Sequence, residues 1–419
     1  MNSRINWEQS TSDAYSSQVF KLERVEAFYR LLGSPAANVP IVHVTGTKGK
    51  GSTSAMIAGI LQRSGNRVGL FQSPHLVRLE ERFQIDRKSC RTEVLAEILA
   101  EIHAVVRRLD ADEEEGRTQW GRVTWFEIVT MAAMCFFDRE EVDWVVLEVG
   151  MGGRLDSTNI CHPKVCVITN ISLDHMVPLG NTVEAIAREK GGIIKPGVPV
   201  VSGVTQPSAR AVIAEIAREK KAPLWEISET PFLSLPPLAM PGEHQKKNAA
   251  LALQVVEILR RQGWDIPEIA VKQGLAETTL PGRLEILHRR PYVVVDVAHN
   301  EISIETTLRW LEETFPDAPK EVLFAVSGDK DWKTMLRKIA AVADSIHLTQ
   351  YRHSRSALAQ DLLTFCRQEA LPATAYSSAW EAFLRLYPTL SPKTVLLITG
   401  SFFLIGEIYP SLQAFWNLE

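Results

Sequence analysis

Cysteine is scarce and scattered in this sequence. Its 419 residues include only five cysteines, an odd number without regular spacing. This argues against a disulfide framework of the kind that stabilises small secreted domains. We expect reduced thiols at all five positions and assign a catalytic role to none of them: Cys90, Cys135, Cys161, Cys166 and Cys366.

Long apolar runs and long basic runs are also missing. No apolar stretch approaches the roughly 18 residues of a membrane span, and the N-terminal Met1–Trp7 is polar, unlike the core of a signal peptide. Lys and Arg total 46 against 50 Asp and Glu, a formal net charge of −4. No Lys/Arg run is long enough to follow a phosphate backbone. The sequence therefore predicts a soluble cytoplasmic protein that binds neither membrane nor nucleic acid.

Apolar strands and helical patterns alternate along the chain. With 45% hydrophobic and 23% charged residues the composition is globular, and the length suggests two or three domains at about 150 residues each. Val/Ile-rich strands between helices indicate a parallel sheet covered on both faces. A second alternation starts at Pro291–Val295. We predict an α/β protein: a P-loop, doubly wound ATPase domain over residues 1–288 and a smaller, Rossmann-like α/β domain over residues 289–419, with a ligand cleft between them.

The most informative stretch is a glycine-rich loop between a predicted strand, Ile41–Val44, and a predicted helix, Thr53–Ser64. Glycines let backbone N–H groups turn towards a polyphosphate, and a helix N-terminus adds partial positive charge. Lys50 could reach the phosphates and a neighbouring hydroxyl could meet Mg²⁺, although the spacing is not that of the Walker pattern. The alternative is a plain glycine turn with solvated lysines. The predicted nucleotide-binding residues are Gly46, Thr47, Lys48, Gly49, Lys50, Gly51, Ser52 and Thr53.

An ordered series of motifs gives this loop a family context. The chain resembles the folylpolyglutamate synthase and dihydrofolate synthase family of the Mur ligase superfamily, from the phosphate loop to well inside the second domain. The motifs are Val44–Thr53, Gln72–Leu76, Phe126–Glu127, Leu147–Asn159, Leu173–His175, Glu189–Lys195, Gly242–Asn248, Pro281–Arg283, Asp296–Asn300 and Asp329–Asp331. The resemblance implies ATP-dependent addition of L-glutamate to dihydropteroate, to a folate, or to both, by a protein that is mostly monomeric in its relatives.

A metal site is expected where strands of the first domain end. Glu148 ends an apolar strand, and a hard oxygen ligand there suits Mg²⁺, although a strand-end carboxylate could simply be solvated. The resemblance implies that Ser73 and Glu148 serve one Mg²⁺, which the Ser52 or Thr53 hydroxyl of the phosphate loop could also meet. It implies that His175 and Lys190 serve a second one, with Lys190 carbamylated. Without the resemblance, His175 could be a capping or core residue and Lys190 a solvated cation.

Binding residues beyond this metal site come mainly from the resemblance. It places Gln245, Asn248, Arg283, Asp296 and His299 near the nucleotide, although Asn248 and the Asp296–Asn300 motif could be helix caps or turns. Arg82 is predicted to grip a pteroate or glutamyl carboxylate, with an exposed charged face as the alternative. Asp329 is placed on the incoming glutamate's side, with a charged turn as the alternative.

The predicted chemistry is formation of an acyl phosphate followed by amide formation. Transfer of the ATP γ-phosphoryl group to a carboxylate makes a good leaving group, which the amine of glutamate then displaces. Such a reaction needs positioning and charge neutralisation more than a protein nucleophile. The catalytic residues expected are Lys50, Glu148, His175 and Lys190. Two other readings stay open at this stage: another amino-acid ligase of the same superfamily, and a P-loop kinase or regulatory ATPase.

Three departures from the family pattern stand out. The segment 223–240 is shorter than the corresponding part of many relatives and could alter folate contacts. Val297 replaces a glycine that is common in the family. Glu301–Ser303 lacks the usual proline after Asn300.

Overall fold

The computed structural model describes residues 4, 20–172, 180–227 and 235–417. By its internal contacts the chain divides into two compact units. The first comprises Met1–Ala239 and Glu243–Thr278, and the second Met240–Gly242 and Thr279–Glu419. Within the described residues, no helix combines the length and the apolar character that crossing a bilayer requires.

The first unit is built on an eight-stranded sheet with the strand order β4-β3-β2-β5-β1-β6-β7-β8. All pairings are parallel except those of β3 with its neighbours β2 and β4. The strands are β1 (Ile41–Thr45), β2 (Val68–Phe71), β3 (Phe83–Ile85), β4 (Lys88–Ser89), β5 (Trp144–Glu148), β6 (Val165–Ile168), β7 (Val200–Ser202) and β8 (Leu224–Glu226).

Helices accompany this sheet and bury apolar faces against it. Separate clusters of buried side chains, one around Phe71, Val129 and Leu147 and another around Ile168, Ile186 and Val200, make up much of the apolar interior. The helices are α1 (Leu22–Leu31), α2 (Lys50–Arg63), α3 (Thr92–Glu114), α4 (Trp125–Arg139), α5 (Val183–Gly191), α6 (Pro207–Glu219), α7 (Glu243–Arg261) and α8 (Glu268–Glu277).

The second unit has a six-stranded sheet with the order β13-β12-β11-β14-β10-β9, in which only β9 runs antiparallel to its neighbour. Its strands are β9 (Glu285–Arg289), β10 (Tyr292–Val295), β11 (Lys320–Phe324), β12 (Ser345–Leu348), β13 (Ala373–Ala375) and β14 (Val395–Thr399). Its helices are α9 (Glu301–Thr314), α10 (Trp332–Ala340), α11 (Ala359–Gln368), α12 (Ala379–Leu386) and α13 (Phe402–Trp416).

The α/β class and the P-loop position of the glycine-rich loop are confirmed: the loop joins β1 to α2. One boundary differs from the sequence-based expectation. A domain boundary after residue 288 would cut β9, which pairs with β10 and so belongs to the second unit. Helix α10 begins at Trp332, where the Asp331 side chain accepts a hydrogen bond from the Thr334 N–H and caps the helix.

Candidate functional site

The phosphate loop is shaped by two glycines that no other residue could replace without strain. Gly46 has φ +151°, and a Cβ there would lie 1.9 Å from Thr169 Oγ1. Gly49 precedes α2 with φ +83°, and its Cβ would lie 2.4 Å from Asn248 Oδ1. Both the backbone angles and the close neighbours therefore demand glycine.

The backbone N–H groups of the loop are not equally available to a ligand. Those of Thr47 and Lys48 donate to Asn170, at 2.9 Å to its carbonyl oxygen and 2.8 Å to its Oδ1. The N–H of Thr53 already donates to Gly49 O, and the Thr53 side chain is completely buried. The N–H groups of Lys50, Gly51 and Ser52 lie in the first turn of α2, where an α-helix offers no acceptor. Anion binding therefore falls to the start of the helix.

Two lysines from distant parts of the chain meet at this loop. Lys50 Nζ and Lys190 Nζ both donate to Gly46 O, at 3.1 and 2.9 Å. Lys190 is 4% exposed and sits in the last turn of α5. The glycine-rich turn after β5 holds that helix end closely, since a Cβ on Gly153 would lie 3.0 Å from Lys190 O. The structure thus brings Lys50 and Lys190 together at the carbonyl oxygen of Gly46.

Glu148 and Ser73 lie beside the first turn of α2. Glu148 is 3% exposed, and its Oε2 lies 3.4 Å from the backbone N of Ser73, which donates to it. A Cβ on Gly51 would lie 3.5 Å from the same oxygen, and Gln72 Nε2 donates to Gly51 O at 2.7 Å. The parallel pairing of β1 with β5 and of β5 with β2 places these strand ends side by side.

The chemistry of this donor set fits magnesium. Buried carboxylate and hydroxyl oxygens next to a phosphate-binding helix start are hard ligands, and Mg²⁺ usually takes one or two protein oxygens plus phosphates and water. Among the described residues, no group of three or more His, Cys, Asp and Glu side chains forms a self-sufficient metal site. His175 lies outside the described residues. The last described residue before that gap is Ser172, whose backbone N–H donates to the Thr47 hydroxyl at 3.2 Å.

Arg82 proves to be buried rather than part of an exposed face. It is 1% exposed, its Nε donates to His75 Nδ1 at 2.9 Å, and its guanidinium lies 4.8 Å from the centre of the Trp125 ring. Arg78, by contrast, is exposed and paired with Glu80. The two arginines therefore differ in burial, although they are only four positions apart in the sequence.

The glycine-rich turn after β5 is organised by a buried carboxylate. Asp156 accepts from the N–H groups of Met151 and Thr158, both at 3.0 Å, and from the Thr158 hydroxyl at 2.6 Å. That hydroxyl in turn accepts from His43 Nε2 at 2.8 Å. Burial raises the pKa of Asp156, while burial, with a smaller effect from Lys195, lowers the pKa of His43 to about 3. His43 is therefore neutral at physiological pH, and the chain of bonds serves to hold the turn.

In the second unit, the predicted binding residues gather where β10 ends. Asp296 accepts from the N–H groups of Leu284 and Ala298 and from the Thr307 hydroxyl, so its carboxylate orders the surrounding loops. His299 Nδ1 donates to Val297 O at 2.9 Å, and its ring lies 5.8 Å from that of Phe402. The Arg283 guanidinium lies 5.1 Å from the same phenyl ring.

The remaining predicted residues have defined partners as well. Gln245 and Asn248 are buried at the start of α7, and Asn248 Nδ2 donates to Gln245 Oε1 at 2.9 Å. Asp329 is half exposed and pairs with Arg355 at 2.9 Å. Sequence reasoning missed Thr169 and Asn170, which fix the loop. Their signal was a pair of polar residues directly after an apolar strand, β6.

Burial raises the pKa of all five cysteine thiols. All of them are free thiols. Burial raises the pKa of Cys90, Cys135 and Cys366 to about 11 and that of Cys166 to about 12, and it raises the pKa of Cys161 as well. They therefore stay protonated at neutral pH.

Comparisons with known proteins find relatives along most of the chain. The Mur ligase middle domain matches residues 44–233, and the Mur ligase glutamate ligase domain matches residues 282–402. The dihydrofolate synthase/folylpolyglutamate synthase of Bacillus subtilis is 33% identical over 416 residues, covering 94% of this chain and 95% of the relative.

Solved structures agree with these matches. A complex of Escherichia coli FolC with DHPP and ADP has a TM-score of 0.81 at 29% identity, covering 97% of this chain and 96% of that one. The bifunctional folylpolyglutamate synthase/dihydrofolate synthase of Yersinia pestis, complexed with AMPPNP and Mn, has a TM-score of 0.80 at 29% identity and covers 94% of this chain and 93% of that one.

Proposed function

The chain belongs to the folylpolyglutamate synthase and dihydrofolate synthase family of Mur ligases, and we propose that its phosphate loop and metal ligands activate a folate-type carboxylate for capture by L-glutamate. It is an ATP-dependent ligase, and ADP and phosphate leave as the amide forms. The observation that best supports the site assignment concerns the phosphate loop: Lys50 and Lys190 both reach Gly46 O, and Glu148, which accepts from the Ser73 N–H, lies beside Gly51 in the first turn of α2.

Each of these residues has a task in phosphoryl transfer. The N–H groups at the start of α2 and the ammonium of Lys50 bind and neutralise the nucleotide phosphates, which lowers the repulsion between the γ-phosphoryl group and the attacking carboxylate. Ser73 and Glu148, with Ser52, would hold one Mg²⁺, which supplies Lewis-acid neutralisation of phosphate charge. The glutamate amine then attacks the acyl phosphate, and phosphate departs with the electron pair of the broken C–O bond.

We further propose a second Mg²⁺ held by His175 and by a carbamylated Lys190. Two supporting observations are the burial of Lys190 and its meeting with Lys50 on one carbonyl oxygen. Carbamylation of Lys190 would turn one of two neighbouring cations into an anion and so remove the repulsion between them. The carbamate anion would then attract both Lys50 and a metal ion.

Carbamylation can be tested directly. Protein equilibrated with ¹³C-bicarbonate should show a carbamate carbon resonance that is absent from Lys190→Ala but retained in Lys195→Ala. Formate or acetate should partly restore activity to Lys190→Ala. A wild-type spectrum without a carbamate signal would contradict the assignment.

Substrate contacts complete the proposal. We assign Gln245, Asn248, Arg283, Asp296 and His299 to the nucleotide-binding site. Asp296 would act there indirectly, through the loops that its carboxylate orders. Arg82 is assigned to a carboxylate of the pteroate or glutamyl group. Its burial and its position over Trp125 support a fixed guanidinium rather than a solvated one.

The decisive experiment incubates the pure protein with ATP, Mg²⁺, labelled L-glutamate and either dihydropteroate or tetrahydrofolate. Mass spectrometry should reveal a product heavier by one or more glutamyl residues, with one ADP released per residue added. The choice of acceptor and the number of glutamates added follow from the same spectra. ATP hydrolysis without glutamate consumption would instead favour a regulatory ATPase.

We also propose that the protein acts as a monomer in the cytoplasm. Its five cysteines are free thiols, which suits the reducing conditions of that compartment. Light scattering coupled to size exclusion should give the mass of one chain, 46.8 kDa. A mass of twice that value would contradict the monomer.

A further inference from the structure

The turn ahead of β9 holds Arg283 between two residues with left-handed backbone. Gly282 has φ +69°, and Leu284, which carries a Cβ, has φ +47°. Both neighbours are buried, whereas Arg283 itself is partly exposed. A left-handed conformation is costly for a residue with a Cβ and persists only where the surrounding structure imposes it. The bonds that impose this turn therefore also determine where Arg283 lies.

Two carboxylates hold the backbone of the turn, one on each side of Arg283 in the sequence. Glu285 Oε2 accepts from the Gly282 N–H at 2.7 Å. Asp296 Oδ2 accepts from the Leu284 N–H at 2.9 Å. The sequence motifs include Asp296 but not Glu285. The structure thus shows a second carboxylate with the same task, which no motif had indicated.

Glu285 is itself fixed by α13. The Tyr409 hydroxyl of this helix donates to Glu285 Oε1 at 2.8 Å, and Tyr409 is buried. Burial raises the pKa of Glu285, while the hydrogen bonds from the Gly282 N–H and from the Tyr409 hydroxyl act in the opposite direction. The same helix begins with Phe402, whose ring lies 5.1 Å from the Arg283 guanidinium. Helix α13 therefore reaches Arg283 by two routes, through an aromatic ring and through the Glu285 carboxylate.

We propose that Glu285 is a positioning residue for the nucleotide, because it fixes the turn that presents the Arg283 guanidinium. This inference rests on the assignment of Arg283 to the nucleotide-binding site in the function proposed above. A long arginine side chain loses rotamer freedom on binding, and a fixed backbone reduces what the ligand still has to order. Glu285 acts through Arg283 rather than by contact, since its carboxylate would repel the phosphates.

The test is calorimetric titration of ADP, with Mg²⁺ present, into the full-length variants Glu285→Ala, Glu285→Gln and Tyr409→Phe. In Glu285→Ala the Kd for ADP should rise about five- to thirtyfold, as expected for the loss of a hydrogen bond to a charged group. Glu285→Gln should recover most of this loss, because its amide oxygen can still accept from the Gly282 N–H. Tyr409→Phe should fall between these two variants. The KM for ATP should follow the Kd, while kcat at saturating ATP should change less than about twofold.

A double-mutant cycle with Arg283→Ala separates positioning from a general loss of stability. Arg283→Ala alone should raise the Kd for ADP. Adding Glu285→Ala to it should raise the Kd no further, because Glu285 acts through Arg283. An unchanged Kd in a folded Glu285→Ala overturns the inference, and so does an equal effect of Glu285→Ala in both backgrounds.

Glu321→Ala and Tyr387→Phe are the matched controls in the same unit. Glu321 is a partly buried strand glutamate whose Oε2 lies 2.6 Å from His347 Nε2, and the Tyr387 hydroxyl accepts from Trp416 Nε1 at 3.4 Å. Both changes remove a hydrogen bond and should lower the melting temperature, but they should leave the Kd for ADP at the wild-type value. A rise in these controls equal to that in the Glu285 variant would contradict the positioning role.

The failure of this inference is distinguishable from the failure of the proposed function, because ADP binding is measured without turnover. A wild-type enzyme that binds ADP but ligates no glutamate would overturn the proposed function alone. An Arg283→Ala variant that binds ADP as the wild type does would overturn the assignment of Arg283, and the role of Glu285 with it.

Discussion

Gly49 offers a test of why the phosphate loop requires glycine. Its φ of +83° is matched by Gly33, which also has φ +83°, but the surroundings differ. A Cβ on Gly33 would meet nothing within 4 Å, whereas a Cβ on Gly49 would lie 2.4 Å from Asn248 Oδ1. Comparing Gly49→Ala with Gly33→Ala therefore separates steric conflict from backbone strain.

The backbone term is common to both variants and costs about 1–2 kcal/mol for a residue with a Cβ in the left-handed region. Gly49→Ala must in addition displace Asn248, whose side chain donates a buried hydrogen bond of 2.9 Å to Gln245. Losing that bond costs about 1 kcal/mol, and more if a buried polar atom stays unsatisfied. We expect a destabilisation of about 1–2 kcal/mol for Gly33→Ala and about 2–4 kcal/mol for Gly49→Ala.

Thermal unfolding followed by fluorescence would rank the two variants, and ATP titration of initial rates would report on the loop. The apparent melting temperature should fall further in Gly49→Ala, and only this variant should show a raised KM for ATP. Combining Gly49→Ala with Asn248→Ala should cost less than the sum of the single changes, because the conflict is removed. Equal effects of the two glycine substitutions on both measurements would refute this reasoning.

Two further predictions concern buried charged or titratable groups. Arg82→Ala should raise the KM for the pterin acceptor, leave the KM for ATP near the wild-type value and lower thermal stability, whereas the exposed Arg78→Ala should change none of these; equal kinetics of the two variants would contradict the role of Arg82. Burial lowers the pKa of His43 to about 3, whereas the usual pKa of histidine is near 6.5. Between these two pH values the imidazole is protonated in the unfolded state but not in the native state. Acidification through that range should therefore lower the free energy of unfolding by about 1.4 kcal/mol per pH unit once the pH is below about 6. A His43→Gln variant should lose this part of the pH dependence, which denaturant unfolding at pH 7 and pH 5 would measure.

Local sequence was sufficient to predict the phosphate loop and the ends of the neighbouring strands. Glycine spacing, the lysine at position 50 and the preceding strand depend on a few consecutive residues, so the loop follows β1 as predicted, although α2 begins at Lys50 rather than at the expected Thr53. Glu148 follows the same logic, because a carboxylate at the end of a buried parallel strand reaches the ligand edge of the sheet. The family resemblance added Lys190. Sequence spacing alone would not have indicated that this lysine lies near the loop.

Contacts between distant segments decided what the sequence could not. Sequence left Arg82 open between a carboxylate-binding role and an exposed charged face, and its packing on Trp125 and His75 excludes the exposed face. Asn170 occupies loop donors that the sequence offered to phosphate. Asp329 and Arg355 are 26 residues apart and meet because two parallel strands end side by side.

The sequence by itself thus determined the class of fold, the place of the nucleotide loop and the family chemistry, since these depend on short-range patterns of apolar, glycine and charged residues. The tertiary structure alone decided which polar groups are already satisfied by one another and which keep capacity for a ligand. That distinction depends on side chains that approach within hydrogen-bond distance across long stretches of chain, and no local pattern records their approach.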